Sequence, residues 1–511
     1  MEKQYNMPEF PEPFWRDSID IPQFPKLRES IQTDVGIVGG GITGLTTAYI
    51  LTKKGVKVTL IDAGKLLNGT TGHTTAKITA QHGLIYDELI QHLGEEKAKL
   101  YVEAQVEAIQ FIKDTITEHN ISCDLSSEDA YIYTNSDKYV EKLNKEMEAY
   151  KTLGITGELT NEIPLNIPIK SALIMKDQAQ FHPLKYFKTI IKYIVENGGE
   201  LYEDTTAIDV ENSYHSNILT KDGNRIRCNY VVAASHFPFY GGQGYYFARM
   251  YPDRSYIIAI KSNNKYPGGM YINAEQPTRS IRSTSINGED LWLIGGESHK
   301  TGQGKSTMEH YKALESFAET TFGIKEYNYR WSAQDLTTLD KVPYIGKVTK
   351  DHPEVLIATG FRKWGMTNGI VAGIVLSDMI TDVNNKYVDL FSPSRFHADP
   401  DLKSFASNNA DVAKHMLKGK LEYTDSKIDD VQKGEAKVVR LNGNKAGVYR
   451  DNNDKVHIVD TTCTHMGCEV NWNEGDLTWD CPCHGSRFSI EGEVIEGPAK
   501  KPLNKYNVKD L

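Results

Sequence analysis

The chain has no long apolar run and no surplus of positive charge. Its 511 residues include no apolar stretch as long as the roughly 18 residues that a membrane-spanning helix requires, so no membrane span is expected. A formal net charge of -10 at pH 7 disfavours nucleic acid and anionic membranes as partners. The first residues lack the apolar core of a secretion signal and a twin-arginine signal, which predicts a cytoplasmic location.

Cysteine is also scarce, yet four of the six cysteines lie in two short segments. The segments are Cys463-Thr-His-Met-Gly-Cys468 and Cys481-Pro-Cys-His-Gly-Ser486. Two thiolates and two imidazoles in paired loops are the ligand set of a Rieske [2Fe-2S] cluster, in which the imidazoles raise the reduction potential. The predicted ligands of one iron are Cys463 and Cys481, and those of the other are His465 and His484.

A zinc site is the alternative, because two cysteines and two histidines can also hold zinc in a tetrahedral site. Zinc ribbons and fingers commonly pair ligands of one residue type, whereas each loop here mixes the two types as C-x-H and C-x2-H. The spacing therefore favours the iron–sulfur cluster.

The region from about Asp425 to Leu511 resembles the Rieske proteins of the cytochrome bc class. The resemblance implies a disulfide between Cys468 and Cys483, which tie the two cluster loops together in that class. It also matches the turn Gly497-Pro-Ala499 to the family's proline loop.

Two further positions bear on the reduction potential, which depends on hydrogen bonds to the cluster sulfurs. Ser486 fits the family's serine donor to a bridging sulfide. Phe488 stands where the high-potential members carry a tyrosine, and its ring offers no donor. The resemblance therefore implies a potential below that of the respiratory proteins.

Near the other end of the chain, a predicted strand, Thr33–Val38, leads into three glycines with the spacing G-x-G-x-x-G. A helical segment and a second strand follow, and the second strand closes on an acidic residue. This order predicts a βαβ unit whose backbone and helix N-terminus hold a pyrophosphate, while the acid binds a ribose hydroxyl. The residues concerned are Gly39, Gly41, Gly44 and Asp62.

Four later segments resemble the D-amino-acid oxidase, glycine oxidase and sarcosine oxidase family, which binds FAD. They are Gly69–Thr79, Val231–Ala234, Trp331–Gly346 and Ala358–Gly369. The resemblance implies that the first passes the flavin and that the last opens a helix facing the pyrimidine ring. The FAD contacts it implies are Thr70, Thr71, His73, Gly365, Met366 and Thr367.

For several residues near the predicted flavin site, the sequence supports more than one role. His73 corresponds to a histidine that carries the flavin covalently in some relatives, but the residues around it differ, so it also suits a hydrogen-bonding role. Lys77 is a candidate to stabilise reduced flavin, and Arg282 and Arg362 are candidate anchors for a substrate carboxylate. The catalytic base is not identified.

No second G-x-G-x-x-G is present, so a separate NAD(P)H domain is not expected. Gly302-Gln-Gly304-Lys-Ser306 is not a phosphate loop, because its first glycine position holds His299.

The predicted organisation is an FAD-dependent oxidoreductase over residues 1–400, a helix and linker over 401–424, and a Rieske domain over 425–511. The nucleotide-binding parts are placed at about 30–90, 190–240 and 335–385. The fold class is therefore an α/β, Rossmann-like FAD-binding fold with an inserted antiparallel-sheet substrate domain, plus a small all-β Rieske domain.

The function this implies is an FAD-dependent dehydrogenase that oxidises an amine or amino acid. Electrons would then pass singly through the cluster to an external acceptor, because a Rieske centre carries one electron at a time. Two alternatives remain open: an electron-transfer module that serves a protein partner and has no small organic substrate, and a redox-responsive binding protein without turnover.

Overall fold

A computed structural model describes residues 6–212, 215–241, 244–421, 424–441 and 443–506. The α-helices in this part are α1 (Phe14–Asp17), α2 (Ile42–Lys53), α3 (Tyr86–Leu93), α4 (Glu95–Glu118), α5 (Asp137–Leu153), α6 (Pro183–Glu196), α7 (Thr307–Phe322), α8 (Gly365–Ile380), α9 (Val388–Phe391) and α10 (Ala398–Leu421). Short 3-10 helices are found at Thr70–His73, Tyr246–Ala248 and Ile428–Asp430.

The β-strands of the described residues are β1 (Ile31–Gln32), β2 (Val35–Val38), β3 (Val58–Ile61), β4 (Lys77–Ile78), β5 (Ser126–Thr134), β6 (Gly157–Thr160), β7 (Ser171–Gln180), β8 (Glu200–Tyr202), β9 (Ala207–Asn212), β10 (Ser216–Thr220), β11 (Arg225–Cys228), β12 (Tyr230–Ala233), β13 (Met250–Lys261), β14 (Met270–Asn273), β15 (Arg279–Ile286), β16 (Glu289–Lys300), β17 (Glu326–Thr338), β18 (Tyr344–Thr349), β19 (His352–Thr359), β20 (Ala436–Leu441), β21 (Asn444–Arg450), β22 (Val456–Asp460), β23 (Asn471–Asn473), β24 (Thr478–Asp480), β25 (Arg487–Phe488) and β26 (Val494–Glu496).

A six-stranded sheet with the order β18-β19-β12-β2-β3-β8 forms the nucleotide-binding layer. The strands from β19 to β8 are parallel, and β18 is an antiparallel edge. Every residue of β2 and β3 is buried, as parallel strands covered on both faces require. A separate four-stranded sheet has the order β1-β11-β10-β9.

Two glycines of α8 let this helix pack closely against α2. A Cβ atom at Gly369 would lie 2.8 Å from Ile42 Cγ2, and one at Gly373 would lie 2.5 Å from Thr46 Cγ2. The N-terminal half of α8 therefore lies beside the N-terminal half of α2.

The inserted domain is built on a nine-stranded sheet with the order β17-β13-β16-β15-β14-β5-β7-β4, in which β6 also pairs with β7. Its pairs are antiparallel, as the sequence predicts, except β14 with β5, which is parallel. The two strands belong to separate insertions joined through the nucleotide-binding layer, and so long a connection permits a parallel pair.

The C-terminal domain consists of two antiparallel sheets, β20-β21-β22 and β23-β24-β25-β26. Helix α10 connects it to the rest of the chain and contacts both sides: Asn409 Nδ2 donates to the carbonyl of Ala248 (3.2 Å), and Gly419 packs on Glu469. The predicted fold class is thus confirmed. Among the described residues, no helix is long and apolar enough to cross a membrane.

Candidate functional site

The glycine-rich turn after β2 has the geometry that its sequence predicts. Gly39 has φ +112°, in the region that favours glycine. A Cβ atom at Gly44 would lie only 1.9 Å from the carbonyl oxygen of Gly39, so α2 approaches the turn too closely for any side chain there. These are the features that bring a dinucleotide's pyrophosphate to a helix N-terminus.

Asp62 lies at the end of β3, beside the same turn. Its carboxylate accepts hydrogen bonds from the backbone N–H groups of Gly40 (2.7 Å) and Gly64 (2.8 Å). Burial raises the pKa of Asp62, and these two backbone donors counteract part of that rise. The bond from Asp62 to a ribose hydroxyl stays a prediction, and each oxygen retains further acceptor capacity for it.

The N-termini of α2 and α8 are both suited to a ligand. Gly41 precedes α2 without a side-chain cap of its own, and Thr71 Oγ1 accepts the Ile42 N–H at 3.1 Å. Trp364 precedes α8 without a side-chain cap, and the nearest neighbour of a Cβ at Gly365 would be 3.8 Å away. Helix N-termini attract negative charge, so both ends fit the phosphate and pyrimidine parts of FAD.

Two other predicted contacts, Met366 and Thr367, lie buried in the first turn of α8. Thr367 Oγ1 is 3.0 Å from His82 Nε2, so the hydroxyl is already engaged by the protein. Its contact with FAD stays a prediction, as does that of Met366.

The predicted flavin loop, residues 69–79, runs against β17. Thr70 Oγ1 donates to the backbone carbonyl of Gln334 (3.5 Å), and Trp331 Nε1 donates to the carbonyl of His73 (2.8 Å). His73 Nδ1 donates to the carbonyl of Gly69 (2.9 Å), which leaves the lone pair of the ring on Nε2. The covalent and the hydrogen-bonding roles of His73 both remain open.

Lys77 places a buried amine in β4, near the end of this loop. Its Nζ donates to the carbonyl of Tyr271 (2.9 Å) and to Ser280 Oγ (2.7 Å), and both partners are neutral. Burial, with a smaller effect from the charge of Arg282, lowers the pKa of Lys77 to about 7. Lys77 is therefore able to gain or lose a proton near neutral pH.

The two candidate carboxylate anchors differ in what their guanidinium groups contact. Arg282 donates from Nη1 to the carbonyls of Thr75 (2.7 Å) and Ala76 (2.9 Å), and from Nε and Nη2 to the carbonyl of Ser283. It therefore holds the flavin loop on β15. Arg362 Nη1, by contrast, is buried and has no hydrogen-bond partner in the part of the chain that the structure describes.

Arg362 lies beside a group of aromatic side chains at the start of α8. Burial, followed by the charge of Arg362, lowers the pKa of His82 to about 3. The ring of His82 stacks on Trp364 with centroids 4.8 Å apart, and Tyr101 hydroxyl lies 2.7 Å from its Nδ1. The Nη1 donor of Arg362, which has no partner among the described residues, thus lies near the N-terminus of α8.

The four predicted iron ligands come together at one end of the C-terminal domain. Cys463 and Cys481 are buried free thiols, and the adjacent Cys481 thiol lowers the pKa of Cys463 to about 7. The rings of His465 and His484 lie 5.0 Å apart at 90°. The Nδ1 atoms of both rings are buried, and neither has a hydrogen-bond partner among the described residues.

These orphaned atoms fit a [2Fe-2S] cluster. Buried polar atoms are normally paired, so two imidazole nitrogens without a partner, beside two buried thiols that belong to no disulfide, suit a metal centre. A disulfide joins Cys468 and Cys483, and Ser486 Oγ accepts the Ala499 N–H at 2.9 Å, which connects the turn at residues 497–499 to the second cluster loop.

The part of the chain that is predicted to bind FAD covers the histidine side of this centre. The ring of Phe247 lies 5.1 Å from that of His465 and 5.4 Å from that of His484, in edge-on contact with both. Met466 directly follows His465 in the first cluster loop and is 46% exposed, so this loop also has a side that faces solvent.

Strand β17 separates the flavin loop from the Rieske domain. Trp331 and Asp335 point towards the flavin loop and α8, where Asp335 pairs with Lys363 (3.3 Å). Ser332 and Gln334 point the other way. Ser332 Oγ donates to Asp476 (2.5 Å), and Gln334 Nε2 donates to the carbonyl of Gly485 (3.0 Å) in the second cluster loop.

A buried cluster of six charges joins the two halves. The Rieske domain contributes one arginine and three carboxylates, and the nine-stranded sheet contributes the other two arginines. Arg254 Nη1 pairs with Asp476 at 2.7 Å, and Arg330 Nη1 donates to the carbonyl of Gly475 at 2.7 Å. The members are Arg254, Arg330, Arg487, Asp476, Asp480 and Glu496.

The cluster contains three positive and three negative side chains, so its net charge is zero. Burial alone would raise the pKa of Asp476, but Arg254 and Arg487 outweigh burial and lower the pKa. Without the two arginines of the sheet, the Rieske domain would keep three carboxylates and only Arg487 to neutralise them. Its charge balance therefore depends on the flavin-binding half.

Sequence reasoning missed Arg254, Gln334 and Phe247. Arg254 and Phe247 belong to no motif, and of these two only Arg254 has a signal in the sequence, as a charge within a strand that continues with the apolar run Ile257–Ile260. Gln334 lies inside a segment singled out for its resemblance to flavoenzymes, but its contact with the other domain has no signal in sequence.

Comparison with known proteins identifies two families in the chain. Residues 34–379 match the family described as FAD dependent oxidoreductase, and residues 422–507 match the Rieske [2Fe-2S] domain. The chain is 51% identical over 508 residues, 99% of this chain and 100% of the other, to the putative Rieske 2Fe-2S iron-sulfur protein YhfW of Bacillus subtilis.

Two more distant relatives match the flavin-binding part. Gamma-glutamylputrescine oxidoreductase of Escherichia coli is 22% identical over 384 residues, covering 70% of this chain and 85% of its own length. The crystal structure of glycine oxidase from Geobacillus kaustophilus superposes with a TM-score of 0.61 at 18% identity, covering 71% of this chain and 99% of that one, which shows the shared fold. The chain therefore belongs to the FAD-dependent oxidoreductase family and carries a C-terminal Rieske domain, so its cofactors are FAD and a [2Fe-2S] cluster.

Proposed function

We propose that this protein oxidises the carbon–nitrogen bond of an amine or amino acid and passes the electrons one at a time through its Rieske cluster to an external acceptor. The observation that carries this proposal is the position of β17, with the flavin loop on one face and the cluster domain on the other. Two redox groups on opposite faces of one strand are suited to exchange electrons within the molecule.

The chemistry requires a hydride acceptor, which bound FAD supplies. A hydride leaves the carbon that carries the nitrogen, the nitrogen releases a proton, and the C=N bond of an imine forms. A [2Fe-2S] cluster bound to its four proposed ligands would supply one-electron chemistry, so the two electrons would leave singly. The ligands in this proposal are Cys463, His465, Cys481 and His484.

The names of two relatives support a nitrogen-containing substrate. One is an oxidoreductase of gamma-glutamylputrescine, and the other is an oxidase of glycine. Within this chain, Arg362 favours an amino acid over a simple amine, because its buried Nη1 has no partner and a carboxylate is the natural acceptor for a guanidinium.

Matched substrate pairs test the proposal. Oxygen-free holoprotein is mixed with an amino acid and, separately, with the amine that lacks its carboxylate, using proline with pyrrolidine and alanine with ethylamine. We expect the amino acid to bleach the flavin absorbance, followed by the EPR signal of the reduced cluster at a rate independent of protein concentration. If no compound in such a panel bleaches the flavin, but a reduced electron-carrier protein does, the molecule is a relay without a small organic substrate.

Arg362→Met tests the role of the guanidinium. It should raise the amino-acid concentration needed for half-maximal bleaching by at least ten-fold and leave the weaker reaction of the matched amine unchanged. Arg225→Met is the control, because Arg225 lies on the surface and pairs with Glu211. Equal loss for amino acid and amine would show that Arg362 supports the fold and does not bind the carboxylate.

A further inference from the structure

Gln334 makes a contact that packing alone does not explain. Its side chain is 2% exposed, and its amide nitrogen donates to the carbonyl of Gly485 at 3.0 Å. The amide oxygen is buried without a hydrogen-bond partner among the described residues. An unpaired buried polar atom destabilises the folded state, so an apolar side chain of the same shape would suit the packing better.

The carbonyl that Gln334 binds belongs to the cluster loop. Gly485 directly follows His484, and its N–H closes a turn onto the carbonyl of Cys481 at 3.1 Å. A Cβ atom at Gly485 would lie 2.6 Å from Pro252 Cβ, so β13 also presses on this turn. The bond from Gln334 therefore fixes the part of the loop that links two proposed iron ligands.

The backbone of the same residue contacts the flavin side. Thr70 Oγ1 donates to the Gln334 carbonyl, so this one residue bonds to the flavin loop through its backbone and to the cluster loop through its side chain. Two other side chains of β17 cross this interface, and Ser332 bonds to Asp476 while Arg330 bonds to the carbonyl of Gly475. Both of these partners are farther along the chain from the ligands.

We infer that Gln334 is a positioning residue for electron transfer, which holds the loop of His484 against the flavin loop and completes a bonded route between them. This inference rests on the proposed electron route. It assigns to Gln334 a role in electron transfer that neither the flavoenzyme motifs nor the Rieske motif indicates.

Gln303 provides a matched control. Its Nε2 donates to the carbonyl of Pro482 at 3.0 Å, which is the same kind of bond, of the same length, to the same cluster loop. It comes from the turn after β16, and its second partner is Asp411 on α10. Gln303→Leu therefore removes a bond between the domains without touching the connection to the flavin loop.

The test reduces FAD by a light pulse in the full holoprotein, so that it does not depend on any substrate. We expect Gln334→Leu to slow reduction of the cluster at least ten-fold and Gln303→Leu to change it less than two-fold. FAD content, iron content, the EPR g-values and the cluster's midpoint potential should match the wild type in both variants. Gln334→Met, with an unbranched side chain of similar length, replaces the leucine variant if that one loses its cluster.

Three outcomes would overturn the inference. If the wild type transfers electrons and Gln334→Leu does so equally fast, the inference fails and the proposed route stands. Equal slowing by Gln303→Leu would assign the effect to general loosening of the interface. If light-reduced flavin in the wild type never reduces the cluster of its own molecule, the proposed electron route fails, and the role of Gln334 fails with it.

Discussion

The strongest prediction concerns Arg254, the fully buried arginine that the FAD-binding half contributes to the interface. Its guanidinium is 2.7 Å from Asp476, 3.7 Å from Asp480 and 3.7 Å from Glu496. At an effective dielectric constant of about 20, unit charges about 3 Å apart attract by about 6 kcal/mol. Desolvation of the ions offsets part of this, and removal of one partner from a buried pair costs about 3–5 kcal/mol.

Arg254→Met should therefore destabilise the docked Rieske domain by about 3–5 kcal/mol. The measurement is urea unfolding followed separately by visible circular dichroism of the cluster and by flavin fluorescence. In the variant, the cluster signal should be lost at a lower urea concentration than the flavin signal. Arg225→Met is the control, since its half-exposed pair with Glu211 is worth less than about 1 kcal/mol.

A second substitution separates charge from packing. In Arg254→Met, Asp476 keeps a buried charge with one fewer partner, so adding Asp476→Asn should restore at least about 1 kcal/mol. If Arg254→Met unfolds within 1 kcal/mol of the wild type by both probes, or if the two substitutions add as independent losses, the reasoning about a balanced charge cluster is wrong.

Four further predictions follow from other parts of the site. Cys481→Ser should abolish the EPR signal of the cluster while FAD stays bound, and an unchanged signal would contradict the proposed ligands. Gly41→Val should yield protein without FAD, because the side chain would enter the space before α2, where a Cβ already lies 3.0 Å from Thr71 Oγ1; stoichiometric flavin in the variant would count against this placement. Phe488→Tyr should raise the cluster potential in voltammetry, because a hydroxyl adds a donor that favours the reduced cluster; a lower or unchanged potential with an intact cluster would refute this. Since the pKa of Lys77 is lowered to about 7, its amine is charged mainly below that pH, so Lys77→Met should make the flavin harder to reduce at pH 6 and have little effect at pH 9; an equal effect at both pH values would contradict it.

Local sequence patterns predicted much of this molecule because the chemistry they encode is local. The glycines before α2 and the two cluster loops each hold their ligand within a few residues, and backbone geometry dictates which residue types fit. The order of strands in the nine-stranded sheet cannot be predicted from local sequence patterns. The parallel pairing of β5 with β14 depends on how two distant insertions meet, and neither strand's own pattern encodes its neighbour.

The contacts between the two halves could not be predicted from the sequence either. Arg254 and Asp476 are 222 positions apart, and Gln334 and Gly485 are 151 apart, so their contacts arise only once both domains have folded. A resemblance to two families indicates two modules. It does not say which faces meet, and here the meeting faces decide how the cofactors lie relative to each other.

The balanced charges at this interface also limit which flavoprotein and which Rieske domain can be joined in one chain. Arg254 and Arg330 lie in the flavin-binding half, whereas Asp476, Asp480 and Glu496 lie in the Rieske half. Recombination that placed this Rieske domain behind a flavoprotein without those two arginines would bury unmatched carboxylates, and the domain would stay attached but undocked. We therefore expect the loss of one of these two arginines to be compensated by the loss of a carboxylate in the other half.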